Sequence, residues 1–208
     1  MREQKNYIRN KFLSSAYTVF HEVYSMKCLK RAARIGVLFV LITGSLSHFL
    51  YDWTGRNAVV GLFVPVNESV WEHMKLLFFP MLLYSLFVIF RYRVKYPCIT
   101  SSMCFGILVG TFLIPVFFYA YTRILGRDLF LLDIATFLFS ILIAFLLSYR
   151  LTLSCRLRPY TFLLCILTAV LFVCFVWFTC YPPPFKIFEI PGCTVKLRQT
   201  YFQSYSFR

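Results

Sequence analysis

The chain has 208 residues, of which 60% are hydrophobic, 25 are phenylalanine and only 14% are charged, and its mean hydropathy is +0.71. So little charge could not cover so large an apolar core in water, which excludes a soluble globular domain. A net charge of +14 would point to nucleic acid in a soluble protein. Here the basic residues stand in blocks between long apolar runs, so the expected partner is a lipid bilayer and no nucleic acid.

In chain order, residues 1–32 form a basic arm. Phe12, Ala16, Phe20, Val23 and Tyr24 recur in it at helical spacing, which predicts either an amphipathic helix on the membrane surface or a partly ordered arm. No cleavable signal peptide is expected, because no small-residue cleavage pattern accompanies the first apolar run. Five apolar spans follow within residues 33–181, at about 33–51, 69–90, 98–121, 129–149 and 160–181. Each is long enough for a spanning helix of roughly 20 residues, and helices alone satisfy lipid-facing backbone within one segment. The expected fold is an all-α integral membrane protein, a bundle of five transmembrane helices, followed by a divergent tail at 182–208.

The connections carry eight, one, three, two, three and four Lys or Arg in chain order, fourteen on the N-terminal side of the membrane against seven on the other. That asymmetry predicts a cytoplasmic N-terminus and an outside C-terminus. Ser102-x-x-x-Gly106-x-x-x-Gly110 puts small residues on one face of the third span, which lets a neighbouring helix come close. Pro80 and Pro115 should bend the second and third spans. Of eight cysteines, only Cys180 and Cys193 are expected to meet outside the membrane, and the rest read mostly as small buried hydrophobes. No C-x-x-C or Cys/His metal spacing occurs.

The most informative stretch is Pro65-Val-Asn-Glu-Ser-Val-Trp-Glu-His-Met-Lys75. The run from Leu76 to Phe90 is only fifteen residues, about 22 Å of helix, less than the about 30 Å of a hydrocarbon core. The second helix must therefore begin earlier, which draws Trp71, Glu72 and His73 to the membrane edge. Alternating topology places His48 and Asp52 of the first span at the same level, with Asp133 of the fourth. Titratable groups are costly there and are rarely kept without a partner or a purpose.

His48 and Asp52 are four apart and share a helix face, as do Glu68 and Glu72. His48, Asp52, Glu72 and His73 are thus candidate ligands for a divalent metal such as zinc. Glu72, His73 and Glu68 are candidates for acid–base work, and the same groups could relay protons. A purely structural account stays open beside these. In it Asn67 caps the second helix, Glu68 complements the helix dipole, Glu72 pairs with Lys75 or with Arg123 or Arg127, and Trp71 anchors at the interface. Asn67-Glu-Ser69 also matches a glycosylation sequon, read as incidental against the membrane. No nucleophile elbow or phosphate loop is present.

Gly44-Ser-Leu-Ser-His48-Phe-Leu-Tyr-Asp-Trp, Val66-Asn-Glu-Ser-Val-Trp-Glu-His-Met-Lys75 with Phe79-Pro80, Phe118-Tyr-Ala-Tyr-Thr122, Leu125-Gly126, Asp133-Ile134 and Pro182-Pro183 together resemble an uncharacterised family of small bacterial polytopic membrane proteins, common in Firmicutes and described only as a domain of unknown function. The resemblance covers roughly residues 35–188. It implies a multi-pass protein of the bacterial cytoplasmic (inner) membrane, and it implies no activity. The chain departs from the family pattern at Arg123, where relatives carry glycine, and in its basic tail.

The functional expectation is an outer-facing site of His48, Asp52, Asn67, Glu68, Glu72, His73 and Asp133 that binds or processes a lipid, an envelope intermediate or a divalent cation. Two alternatives stand beside it. One is proton- or cation-coupled transport, for which five helices are few and a homo-oligomer is implied. The other is an accessory protein whose polar motif only caps and locks helices.

Overall fold

The computed structural model of the protein describes residues 2–189, with side chains from Met26 onward. The described residues are all-α: α1 (Arg2–Trp53), α2 (Ala58–Gly61), α3 (Val70–Tyr92), α4 (Ile99–Leu125), α5 (Phe130–Ser154) and α6 (Thr161–Cys180). Single 3₁₀ turns precede α6 at Arg158–Tyr160 and follow it at Lys186–Phe188. Five segments are long and apolar enough to cross a membrane: Met26–Trp53, Val70–Tyr92, Ile99–Leu125, Phe130–Ser154 and Arg158–Cys180.

Arm and first span form one unbroken helix of 52 residues, about 78 Å long, so no backbone break marks the boundary expected at 32/33. The arm's amphipathic face, with Phe12, Ala16, Phe20, Val23 and Tyr24, lies outside the described side chains. Cys193 and the tail from residue 190 lie outside the described residues.

Lipid tails are as apolar as leucine, so helix association in a membrane rests on close fit more than on apolar burial. Small residues supply that fit here. A Cβ on Gly106 would end 2.8 Å from the Ala144 carbonyl oxygen, and one on Gly110 would end 2.7 Å from the Ala144 Cβ. The small face of α4 is thus filled by α5, and these two helices share the most extensive contact. On α1, Gly36 lies against the rings of Phe145 and Tyr84, and Gly44 against the Leu76 carbonyl and Phe137. The Tyr84 hydroxyl donates to the Ala32 carbonyl at 2.6 Å. Helix α1 therefore seats between α3 and α5, over a core of Phe78, Met81, Ile107, Ile141, Phe145 and Phe175. Leu83, Phe87, Phe90, Phe162 and Val173 point outward. Pro80 and Pro115 sit inside unbroken helices.

The cysteine expectation is corrected. Cys98 and Cys155 form a disulfide, with Cα atoms 5.3 Å apart. The physical reason is the α4–α5 hairpin: Cys98 immediately precedes α4 and Cys155 immediately follows α5, so an antiparallel pair brings both to one end.

The two ends of the bundle differ in charge. The end shared by the disulfide and the N-terminal part of α1 carries Lys27, Lys30, Arg31, Arg34, Arg91, Arg93, Lys95, Arg150, Arg156 and Arg158. Every described acidic side chain (Asp52, Glu68, Glu72, Asp128, Asp133 and Glu189) belongs to the other end.

Candidate metal-binding site

At the acidic end the chain runs from α1 through α2 into an irregular stretch before α3. Asn57 opens α2 by accepting the Val59 N–H at 2.9 Å. Helix α3 is capped by Ser69, whose hydroxyl accepts the Glu72 N–H at 3.3 Å. Asn67 is therefore not the cap, because Ser69, two residues on, is the side chain in reach of that first-turn amide. Asn67 Oδ1 instead accepts the Ser69 N–H at 2.9 Å. Glu68 consequently lies before the helix, and its carboxylate is not committed to the helix dipole.

That carboxylate meets two histidines. His73 Nε2 lies 3.3 Å from Glu68 Oε2, and His48 Nε2 lies 3.7 Å from Glu68 Oε1. The two imidazole centroids are 5.4 Å apart. One ligand atom from each of His48, Glu68 and His73 falls within 4.8 Å of the other two. Ligands of a tetrahedral zinc with bonds of 2.0–2.1 Å stand about 3.4 Å apart; His73 Nε2 is near that spacing from one carboxylate oxygen, and His48 Nε2 is beyond it from the other. The hydrogen bond with His73 holds the Glu68 carboxyl below its ordinary range, against partial burial that pushes the other way.

His73 is also held from behind, with Nδ1 3.0 Å from the Ser69 carbonyl oxygen. That oxygen only accepts, so Nδ1 carries a proton and Nε2 is left facing a carboxylate. A neutral imidazole has a single N–H, so where both ring contacts are hydrogen-bonded or ligated at once, a cation, either a second proton or a metal ion, lies on the Glu68 side. Donation from the remote ring nitrogen to a carbonyl is how ligating histidines are commonly oriented. His48 Nδ1 is buried with no hydrogen-bond partner among the described residues.

Asp133 on α5 stands at the edge of this cluster, close enough to interact electrostatically with His73 and Glu68. It accepts a hydrogen bond from the Tyr121 hydroxyl of α4. Side chains of α1, α3, α4, α5 and the loop before α3 thus converge at one level.

Two residues of the expected ligand set stand elsewhere. Asp52 is exposed and paired with Arg56, one turn on, at 3.3 Å. Glu72 points into the bundle and is 3% exposed. It pairs with Lys75 at 2.7 Å and accepts the Val66 N–H at 3.1 Å. Lys75 is fully buried, and its ammonium also donates to Thr179 Oγ1 at 2.6 Å and to the Gly61 carbonyl at 3.2 Å. Trp71 is not an interfacial anchor. It is buried against Phe175, Phe188 and Phe178, with centroids at 4.7, 4.9 and 5.6 Å.

Thr179 has no signal in the sequence, since it comes from a helix distant in the chain; Tyr121 stands in the Phe118–Thr122 block that carries the family resemblance, but nothing there points to Asp133. The inward turn of Glu72 did have one. Ser69-x-x-Glu72 is capping-box spacing, which fixes the helix start, and hence which face Glu72 presents.

The chain belongs to the family of unknown function DUF6512, whose sequence pattern matches residues 22–193. That match spans all five candidate membrane helices. No curated protein and no solved structure matches the chain.

Proposed function

We propose that this multi-pass membrane protein binds one divalent cation of the zinc class at its acidic end, through His48, Glu68 and His73, with a fourth coordination position open. The observation that carries the reading is His73 held between two acceptors, the Ser69 carbonyl and the Glu68 carboxylate. Two imidazole nitrogens and one carboxylate oxygen are a donor set used by catalytic zinc sites, which keep an open position for water or substrate. A cation in this place supplies Lewis-acid polarisation of a water, ester or phosphoryl oxygen. The protein's own groups do the rest: the histidines and Glu68 fix the position, and Asp133, oriented by Tyr121, is the neighbouring carboxylate able to take a proton. The level of the site, at the ends of spanning helices, suits a lipid or another membrane-borne envelope intermediate.

The reading includes an orientation. The excess of Lys and Arg on the N-terminal side supports a cytoplasmic N-terminus, with the metal site facing outward from the bacterial cytoplasmic membrane that the resemblance implies. The disulfide at the basic end weighs on the other side, because cytosolic thiols are kept reduced.

A second reading, a proton or cation path, is favoured by one observation. Asp133, Thr136, Ser140, Ser148 and Thr152 share one face of α5, and all but the half-buried Asp133 are buried. Ser140 Oγ and, on α4, Thr111 Oγ1 have no partner among the described residues.

The deciding experiment is metal analysis of detergent-purified protein beside a His48→Ala/His73→Ala variant. Near-stoichiometric zinc or another divalent ion in the wild type, lost in a folded variant, is the expected result. No metal in either, after incubation with zinc at neutral pH, would overturn the reading and leave a proton between His73 and Glu68.

A further inference from the structure

The stretch that presents Glu68 has almost no regular structure of its own, and its backbone is instead held by side chains of α3. Lys75 Nζ donates to the Gly61 carbonyl at 3.2 Å and approaches the Val64 carbonyl at 3.5 Å. Glu72 Oε2 accepts the Val66 N–H at 3.1 Å. The two charges bond each other at 2.7 Å, and Thr179 of α6 takes a further Lys75 proton at 2.6 Å. Immediately beyond, Asn67 Oδ1 holds the Ser69 amide and Ser69 Oγ caps α3. Backbone on both sides of Glu68 is therefore tied down, while its side chain is 65% exposed and pairs with the two histidines.

Burying an ammonium and a carboxylate costs several kcal/mol per ion, and apolar side chains of similar volume often pack there as well or better. What apolar side chains cannot do is satisfy the Gly61 and Val64 carbonyls and the Val66 amide, which would otherwise stand unpaired inside the head of the bundle. Glycine at 61 fits the same account: a Cβ there would end 2.7 Å from Val66 Cγ1 and 3.0 Å from the Tyr51 ring, so the loop is drawn tight against itself at the point Lys75 grips.

We propose that Glu72, Lys75 and Thr179 form a positioning triad that fixes the 61–66 backbone and thereby holds the Glu68 carboxylate at the metal. This rests on the metal reading and assigns the buried ion pair a role in that site. The triad touches no metal ligand. It acts through the loop.

The test uses full-length protein in lipid nanodiscs and three variants. Glu72→Leu/Lys75→Met replaces the pair with apolar groups and should remain folded. Glu72→Gln keeps an acceptor for both Val66 and Lys75. Glu68→Gln serves as the ligand control. Two quantities are measured: amide hydrogen exchange across residues 61–69 without metal, and Co(II) affinity with its visible spectrum.

In the double variant, exchange of these amides should rise at least tenfold while the helices stay protected. Co(II) affinity should fall about 10- to 100-fold, with a spectrum like that of Glu68→Gln. Glu72→Gln should remain close to wild type in both. Unchanged exchange in the double variant, or faster exchange with unchanged Co(II) affinity and spectrum, overturns the proposal. Failure of wild-type protein to bind Co(II) at all overturns the metal reading separately, and the exchange data then decide alone whether the triad fixes the loop.

Discussion

Gly44 of α1 faces the carbonyl oxygen of Leu76 on α3, so closely that a Cβ would end 2.5 Å from it. Pro80, four residues after Leu76, has no N–H to give that carbonyl. The oxygen is thus left open towards α1, and only a glycine Cα–H fits against it. One turn further along α1 stands His48, so this contact sets how near His48 comes to His73.

Gly44→Leu should therefore push α1 away at the level that matters. The expected result is a destabilisation of about 1–3 kcal/mol from overpacking, together with loss of bound Co(II). Thermal unfolding in detergent and metal content measure the two effects. Full metal binding in this variant would show that His48 is not a ligand.

Acidity should release the metal in a defined order. Glu68 has its carboxyl held below the ordinary value of 4.5, chiefly by the His73 hydrogen bond. For such a depressed carboxyl, the stabilising contribution is fully present above 4.5 and is lost as pH falls through the lower, folded value. Glu68 thus stays ionised across pH 5–8. An imidazole must be neutral to ligate, so protons compete with the ion for both histidines. Release on acidification is therefore expected while Glu68 is still ionised, read by Co(II) absorbance. Retention of the ion until Glu68 itself is protonated would shift the main role from the imidazoles to the carboxylate.

Lys75→Met alone should be worse than replacing both charges. It strands the Glu72 carboxylate at 3% exposure, and breaking a buried pair in this way costs about 3–5 kcal/mol. Glu72→Leu/Lys75→Met should recover much of that loss. Chemical or thermal unfolding in one detergent provides the comparison. A double variant no more stable than the single would mean that the unpaired Gly61 and Val64 carbonyls and Val66 amide, not stranded charge, dominate.

The cysteines test orientation. If the N-terminus is cytoplasmic, Cys98 and Cys155 should be thiols in growing cells. Acid-quenched, denatured samples would then be alkylated at both residues without prior reduction. Alkylation only after reduction would mean the bond exists in the cell, and would place the basic end on the oxidising side.

Much of the fold is legible in the sequence, because a spanning helix needs a long apolar run and this chain has five, separated by basic or turn-rich connections. The level of the site is legible for the same reason: counting turns from the apolar boundaries puts His48, Glu68, His73 and Asp133 together. What spacing does not supply is the direction of each side chain around its helix. Asp52 shares a face with His48 yet stands exposed and pairs with Arg56. Glu72 shares a spacing with Glu68, but Ser69 starts the helix between them, so helical phase does not relate the two. The Cys98–Cys155 bond was hidden because the charge count puts both residues on the cytoplasmic side, where thiols are expected to stay reduced.

His48 and His73 each have 29% of the side chain exposed, against 65% for Glu68. The two imidazoles form a seat set into the bundle, and the carboxylate is the arm on the water side. If the cluster holds an ion as proposed, solution reaches that ion by way of Glu68, and a chelator in the bulk phase has a route to it that does not require the helices to separate.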